Sequence, residues 1–433
     1  MRLQKLIYQG IVWRGLYYAS VFILNIVIAR VYKAEDSGLI NYLINNLSFL
    51  LLITSLSLES ALGYFGSRNE ISPNKLTTLG LVVAITSALV STGAILLFSQ
   101  RQPSEMNSYY ILLAFIYVLG VVLTNYFSSL YYAKQRVVLP NAILMIVNLL
   151  VLMFALYEFG VEQHTAGKTI FLYVYFASFL IQGLILFFSW TTDLHGFGQL
   201  RLPSSVEMKM LFNYAFAALL ANVIFFLVYR VDYWFVKAFC TDAQLGNYIQ
   251  VSKLGQIFLL LPSIIATAVF TRTAGGRHDQ TRNVIEIISR WLLLLYIILV
   301  IVIIITGNWL FPALYGQSFN LMYGPFLLLS PGILSLCTLS LLTAFNAGRN
   351  RMGINIRGSA IAFIVIVAGN FMFIPLFGIY AAALVSSIGY ICFQVYVLNQ
   401  FRKEYNSNVF DFFIPKSSDW NIVKQFFRQH ETN

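Results

Sequence analysis

Charge is what this sequence has least of. Asp, Glu, Lys and Arg make up 10% of its 433 residues, against about 25% in water-soluble domains, so most of its surface is not built to face water. Cysteine is almost missing. Cys240, Cys337 and Cys392 stand apart, in or beside apolar stretches, and their spacing fits neither a disulfide framework nor a thiolate metal site; they read as small packing residues. Long polar segments are absent too, the longest connections being roughly 191–207 and the tail after 400, which leaves no room for a soluble catalytic or nucleotide-binding domain. The nearest approach to a phosphate loop, Gly160 through Gly167-Lys168-Thr169, has six residues between its glycines where the Walker pattern needs four, and it is excluded on that count. A small-residue cleavage site after the first apolar stretch is also missing, so the first helix is expected to stay in the protein rather than leave as a signal peptide.

What is there is apolar, at 59%. Cutting the chain wherever charges and prolines cluster leaves windows near 11–31, 39–62, 78–99, 108–131, 137–159 and 169–190, then 208–230, 243–270, 288–307, 321–346, 354–377 and 379–400. Each is long enough to cross a hydrocarbon core of roughly 30 Å at 1.5 Å per residue. A large soluble helical protein would instead need amphipathic stripes with a charged outer face, whereas 291–306 is apolar all round. Twelve transmembrane helices are therefore expected in an all-α integral membrane protein.

Sorting the 28 Lys and Arg residues by side tests that count, because a wrong number of crossings would scramble the asymmetry. About three quarters fall on the side that holds both termini. The other side receives Arg30, Lys33, Arg101, Lys168, Arg230 and Lys237, while Lys253 lies inside a window. Both termini are thus expected in the cytoplasm. The net charge of +11 needs no nucleic acid, since cytoplasmic Lys and Arg meet anionic headgroups.

Two halves repeat each other in weak but ordered matches. Glu35-Asp36-Ser37-Gly38 leads into Asn41-Tyr42 as Asp242-Ala243-Gln244-Leu245-Gly246 leads into Asn247-Tyr248, and later Ala133, Asn141 and Gly160 find counterparts in Ala347, Asn355 and Gly378. Six helices per half is an even number, so both halves run the same way across the bilayer. The expected organisation is an N-terminal six-helix lobe (1–203), a C-terminal six-helix lobe (204–400) and a cytoplasmic amphipathic tail (401–433), with the pseudo-symmetric lobes around a central cavity. In the tail, Trp420, Val423 and Phe427 alternate with Asp419, Lys424 and Arg428 as in a helix lying on the inner leaflet.

An ionisable side chain at the bilayer centre costs about 2.5–3.5 kcal/mol on insertion scales, so the few present carry information. Arg14 and Asn25 share a face of the first helix with Tyr18; a snorkelling anchor is the plainer reading of Arg14. In the second helix Asn41, Asn45, Ser48, Ser55 and Glu59 fall within about 40° of one line at 100° per residue, a polar stripe across the membrane, with helix–helix hydrogen bonding as the alternative. Arg230 and Asp232 close the seventh helix, and Lys253, with Gln250 and Gln256, sits in the eighth. Lys253 either binds an anionic group as a point charge or pairs with Asp232 or Glu59. Counting Arg14, Arg30, Arg230 and Lys253 against Glu59 and Asp232, the embedded and rim charges are mainly basic. Pro262, Pro331 and Pro375 mark bends.

Ala29-Arg30 through Gly38, Leu62-Gly63 with Ser67-Arg68, and Val231-Asp232-Tyr233 through Leu245-Gly246-Asn247-Tyr248, Lys253-Leu254 and Leu261-Pro262-Ser263 carry a resemblance. On these segments the chain resembles the polysaccharide (O-antigen or capsule) repeat-unit flippases of the multidrug/oligosaccharidyl-lipid/polysaccharide exporter superfamily. The first half departs from the pattern, having Gly38-Leu39-Ile40-Asn41-Tyr42 and no proline in its second helix. The resemblance implies a bacterial inner-membrane secondary transporter, not an enzyme and without a bound cofactor or metal. Its cargo would be an undecaprenyl-pyrophosphate-linked oligosaccharide carried to the periplasmic leaflet, driven by H+ or Na+. Beyond the cargo and membrane lipids, its partners would be a polysaccharide polymerase and a chain-length regulator. It further implies that Arg14, Asn25, Arg30, Asn41, Asn45, Arg230, Gln250 and Lys253 contact the substrate, with Glu59 and Asp232 as candidates for ion coupling.

Peptidoglycan-precursor flippases resemble the chain as well, but typically have fourteen helices. A drug or cation exporter of the same superfamily would want an acidic lumen. A membrane glycosyltransferase or polymerase would need paired carboxylates or histidine at a membrane face, for which Asp193 and His195 are the one local hint; a solvated loop explains them better.

Overall fold

The computed structural model describes residues 3–99, 108–161, 165–193, 201–274, 278–405 and 408–414, with 416 and 419. Among these the secondary structure is helical, with no strand: α1 (Leu3–Thr54), α2 (Leu58–Arg68), α3 (Pro73–Ser99), α4 (Ser108–Ala133), α5 (Val138–Val161), α6 (Thr165–Asp193), α7 (Ser205–Arg230), α8 (Asp232–Phe239), α9 (Asp242–Phe258), α10 (Leu260–Ala274), α11 (His278–Tyr315), α12 (Tyr323–Gly348) and α13 (Met352–Tyr405). In hydrocarbon every backbone amide must find its hydrogen bond within the protein, which helices achieve within one segment and closed barrels between strands.

Ten helical runs among the described residues are long and apolar enough to span a membrane. Two of them, Gln9–Thr54 with 46 residues and Met352–Tyr405 with 54, are far too long for one crossing, since 46 residues reach about 69 Å. Each contains one residue whose backbone is not helical, Lys33 (φ 58°, ψ −175°) and Gly378 (φ 57°, ψ −140°). Dividing them there gives the twelve crossings expected from composition.

Two windows are interrupted. The second, expected to run unbroken over 39–62, stops at Thr54, where Leu56 and Ser57 take left-handed conformations (φ 55° and 51°) before α2 begins. Hydroxyls donate to carbonyls at this break, Ser87 to Thr54 O (2.9 Å) and Tyr126 to Ser55 O (2.8 Å), and Ser129 donates to Glu59 O (2.6 Å) at the start of α2. The eighth window breaks at Leu259, between α9 and α10, because Pro262 lacks an amide proton and its ring crowds the carbonyl four residues back, that of Phe258.

Two compact units emerge: Met1–Lys33 with Ile40–Phe226, and Ala34–Leu39 with Leu227–Asn433. Residue 204 was the expected start of the second lobe, yet most of α7 belongs to the first unit. There Lys75 pairs with Glu207 at 2.8 Å, Tyr64 stacks on Tyr214 at 4.7 Å, and Asn222 donates to Ser57 Oγ at 3.1 Å. The first unit's core runs along α4 and α6, whose backbones touch: a Cβ on Gly183 would lie 2.6 Å from Gly120 O. In the second unit Gly38 and Gly246 permit a similar approach, and any Cβ on Gly246 would overlap the Ala34 carbonyl oxygen.

The repeat is written in the backbone. At the α4–α5 turn, Lys134, Gln135 and Arg136 donate their amides to Leu130, Tyr132 and Tyr131; at the α12–α13 turn, Arg349, Asn350 and Arg351 donate to Phe345, Ala347 and Asn346 in the same pattern. Gln135 and Asn350 both sit at φ 58°. Each turn is clasped to the end of a long helix, Arg136 to Asp193 of α6 (2.5 Å) and Arg349 and Arg351 to Glu404 of α13 (2.6 Å for the latter).

Candidate functional site

In the first unit, the side chains expected to act together are spread over several surroundings. Arg14 is exposed, with its guanidinium 5.4 Å from the centroid of the Tyr132 ring. Asn25 donates to Val21 O (2.9 Å) on its own helix, and Arg30 is exposed. Asn41 and Asn45 are buried, and Ser48 meets the Tyr117 hydroxyl at 3.0 Å.

The polar stripe is corrected. Asn41, Asn45 and Ser48 share the second limb of α1, but the left-handed residues 56 and 57 redirect the chain, so Glu59 lies on α2 and not on their line. Its carboxylate, half-buried, makes no ion pair among the described residues. The first half has no proline to announce the break. The available signal was in the second half, where Pro262 interrupts the corresponding helix.

In the second unit the candidates converge. A capping box starts α9: Thr241 Oγ1 accepts from Gln244 N (3.3 Å) and Gln244 Oε1 from Thr241 N (3.1 Å). This fixes the helix that presents Gln250, Lys253 and Gln256. Arg230, at the end of α7, donates to Gln256 Oε1 (3.1 Å), and its guanidinium lies 5.9 Å from the centroid of the Tyr233 ring. Lys253 lies three residues before Gln256 on α9, on the same side of that helix. Gln250 is 1% exposed, and its Nε2 has no hydrogen-bond partner among the described residues.

Asp232, one step past Arg230, is 1% exposed. Its Oδ2 accepts from the Tyr248 hydroxyl of α9 (2.5 Å) and the Ser386 hydroxyl of α13 (3.2 Å), while Oδ1 accepts nothing among the described residues. These partners are neutral hydroxyls, so Asp232 does not form the pair with Lys253 that one reading of the sequence proposed. Tyr248 and Ser386 escaped the sequence analysis; the Ser386-Ser387 step in an otherwise apolar helix was the signal for the latter.

Asp193 is held by Arg136 at its turn, and His195 lies outside the described residues, as do Trp420, Val423, Lys424, Phe427 and Arg428 of the expected surface helix. No paired-carboxylate glycosyltransferase centre is built from Asp193 among the described residues.

No family model and no curated protein matches the chain. Solved structures do. A Vibrio cholerae MATE transporter, VcmN in its bent form, superposes with a TM-score of 0.62 at 12% identity, covering 95% of this chain and 98% of its own. The lipid II flippase MurJ, in an inward closed conformation, gives 0.63 at 13%, covering 93% and 89%. A MOP superfamily transporter from Pyrococcus furiosus, described by the reverse polarity of its binding pocket, gives 0.63 at 11%, covering 94% and 96%. The chain has the fold of a MOP superfamily transporter. The same fold is thus shared with a MATE transporter and with a lipid II flippase.

Proposed function

We propose that this MOP-fold protein is a flippase for a lipid-linked, negatively charged headgroup, namely an undecaprenyl-pyrophosphate-linked oligosaccharide of the O-antigen or capsule type. One observation carries the reading: Arg230 is tied to Gln256 of α9, the apolar-flanked helix that also carries Gln250 and Lys253. Basic side chains set among amides in apolar helices are the chemistry that recognises an anion. A pyrophosphate supplies that anion, and the amides offer donors to its oxygens or to sugar hydroxyls. Arg14, Asn25, Arg30, Asn41 and Asn45 of the first unit are proposed to meet the saccharide.

Asp232 is proposed to hold the coupling ion, H+ or Na+, because one carboxylate oxygen is free in a buried site whose other ligands are hydroxyls. Glu59 is the second candidate. The protein would work in a bacterial inner membrane with both termini in the cytoplasm, alongside a polymerase and a chain-length regulator.

The test is transport of labelled lipid-linked oligosaccharide in proteoliposomes. A charge-assisted contact is worth about 1.5–3 kcal/mol, so Lys253→Ala and Arg230→Ala should each lower kcat/KM roughly 10- to 100-fold. Asp232→Asn should abolish dependence on the ion gradient while binding persists. The rival drug exporter predicts the reverse: a lipophilic cation moved by the wild type, and moved faster once Lys253 is removed.

A further inference from the structure

Past the last crossing, the described residues of 408–419 fold back as a strap over the N-terminal half of α11, entirely within the second unit. Phe412 is 1% exposed, its ring centroid 5.1 Å from that of Phe401 on α13. Asp419 receives two parallel bonds from Arg290 of α11, Nε to Oδ2 at 2.7 Å and Nη2 to Oδ1 at 2.6 Å; Arg290 Nη1 donates to the Asp411 carbonyl at 2.5 Å. The strap is closed on itself as well. Lys416 donates its amide to Asp419 Oδ2 (2.9 Å), and its ammonium meets Asp411 Oδ1 at 2.7 Å. The side chains of Arg290 and Asp419 are 4% and 1% exposed, a dry ion pair joining residues 129 apart.

We infer that the described residues of 408–419 form a releasable strap, with the Arg290–Asp419 pair as a latch that holds the N-terminal half of α11 to the end of α13 in this conformation. An apolar pair of the same volume would hold at least as firmly, since replacing buried ion pairs by packed hydrophobic residues is often neutral or stabilising. The ion pair differs in being two-state. It is favourable closed, dry and bidentate, or open with both charges hydrated, while half-open arrangements leave a buried charge unpaired. At the end of a membrane helix, water is at hand for the open form. The inference goes beyond the flippase reading and applies whatever the cargo.

Three proteins decide it: the wild type, Asp419→Asn, and the double variant Arg290→Met with Asp419→Leu. Each is measured for thermal midpoint, for trypsin cleavage after Lys416 by mass spectrometry of the full chain, and for turnover in proteoliposomes. Asp419→Asn strands Arg290 and should expel the strap, speeding cleavage at least tenfold. The double variant should recover the midpoint but cut at least fivefold more slowly than wild type and turn over at least fivefold more slowly, because an apolar closure does not release. Wild-type cleavage and turnover in the double variant would mean the strap is an ordinary part of the fold. Unchanged cleavage in Asp419→Asn would remove the latch altogether. Should the wild type fail to move lipid-linked oligosaccharide, the flippase reading is lost, whereas the cleavage rates still judge the strap.

Discussion

At the scale of single residues, a charge in an apolar helix is visible from sequence because it violates the surrounding composition. Arg230, Asp232 and Lys253 were legible for that reason, and the structure brings them within one region of the second unit. Their neutral partners were not, because tyrosine and serine are ordinary inside membrane helices and only packing decides which of them meets a carboxylate. Lys33 shows a different limit. Its backbone (φ 58°, ψ −175°) belongs to a region that suits glycine, and the turn that divides α13 does use glycine, Gly378. A non-glycine residue held there costs on the order of 1–3 kcal/mol. Lys33→Gly should therefore raise stability by about 1 kcal/mol after the extra freedom glycine gains in the unfolded chain is subtracted. A rise in the thermal midpoint of the detergent-solubilised protein checks this, and a fall would show that Lys33 is not strained.

Among elements, the number and order of the crossings followed from hydrophobic length alone, while the interruptions within them did not. Pro262 marks one break by its chemistry. The break at 55–57 is marked by nothing local and is held instead by hydroxyls from α3 and α4, which is why five polar residues spaced as one stripe do not form one. The two clasped turns invite a comparison of magnitude. Arg136 and Asp193 are 58% and 36% exposed, so water and salt screen them; Glu404 is bound by two arginines, Arg349 being only 14% exposed. Asp193→Asn should cost less than about 0.5 kcal/mol, and Glu404→Gln about 1–2 kcal/mol because a less screened, two-armed contact is lost. Thermal unfolding of the two variants tests the ranking, and equal effects would contradict it.

For the whole molecule, the charge asymmetry predicts an orientation, and it separates twelve crossings from ten only through the loops that a lost turn would invert. Both counts are even and leave the termini on one side. The distinction lies in Gln9–Thr54: if this run turns at Lys33, Glu35 faces away from the cytoplasm and Glu70, after α2, faces into it. If it crosses once, Glu70 and the connections that follow are inverted. Arg68, Lys75, Lys134 and Arg136 would then lie outside, against the tendency of basic residues in short loops to remain in the cytoplasm. Glu35 and Glu70 are both exposed, so each tolerates a cysteine that a membrane-impermeant thiol reagent can reach, with the wild type reporting any background from Cys240. In sealed right-side-out vesicles Glu35→Cys should label and Glu70→Cys should not, and inverted vesicles should exchange the two results. Labelling of Glu70→Cys from outside would make α1 a single crossing, reverse the second to tenth connections, and detach the basic face from the cytoplasm.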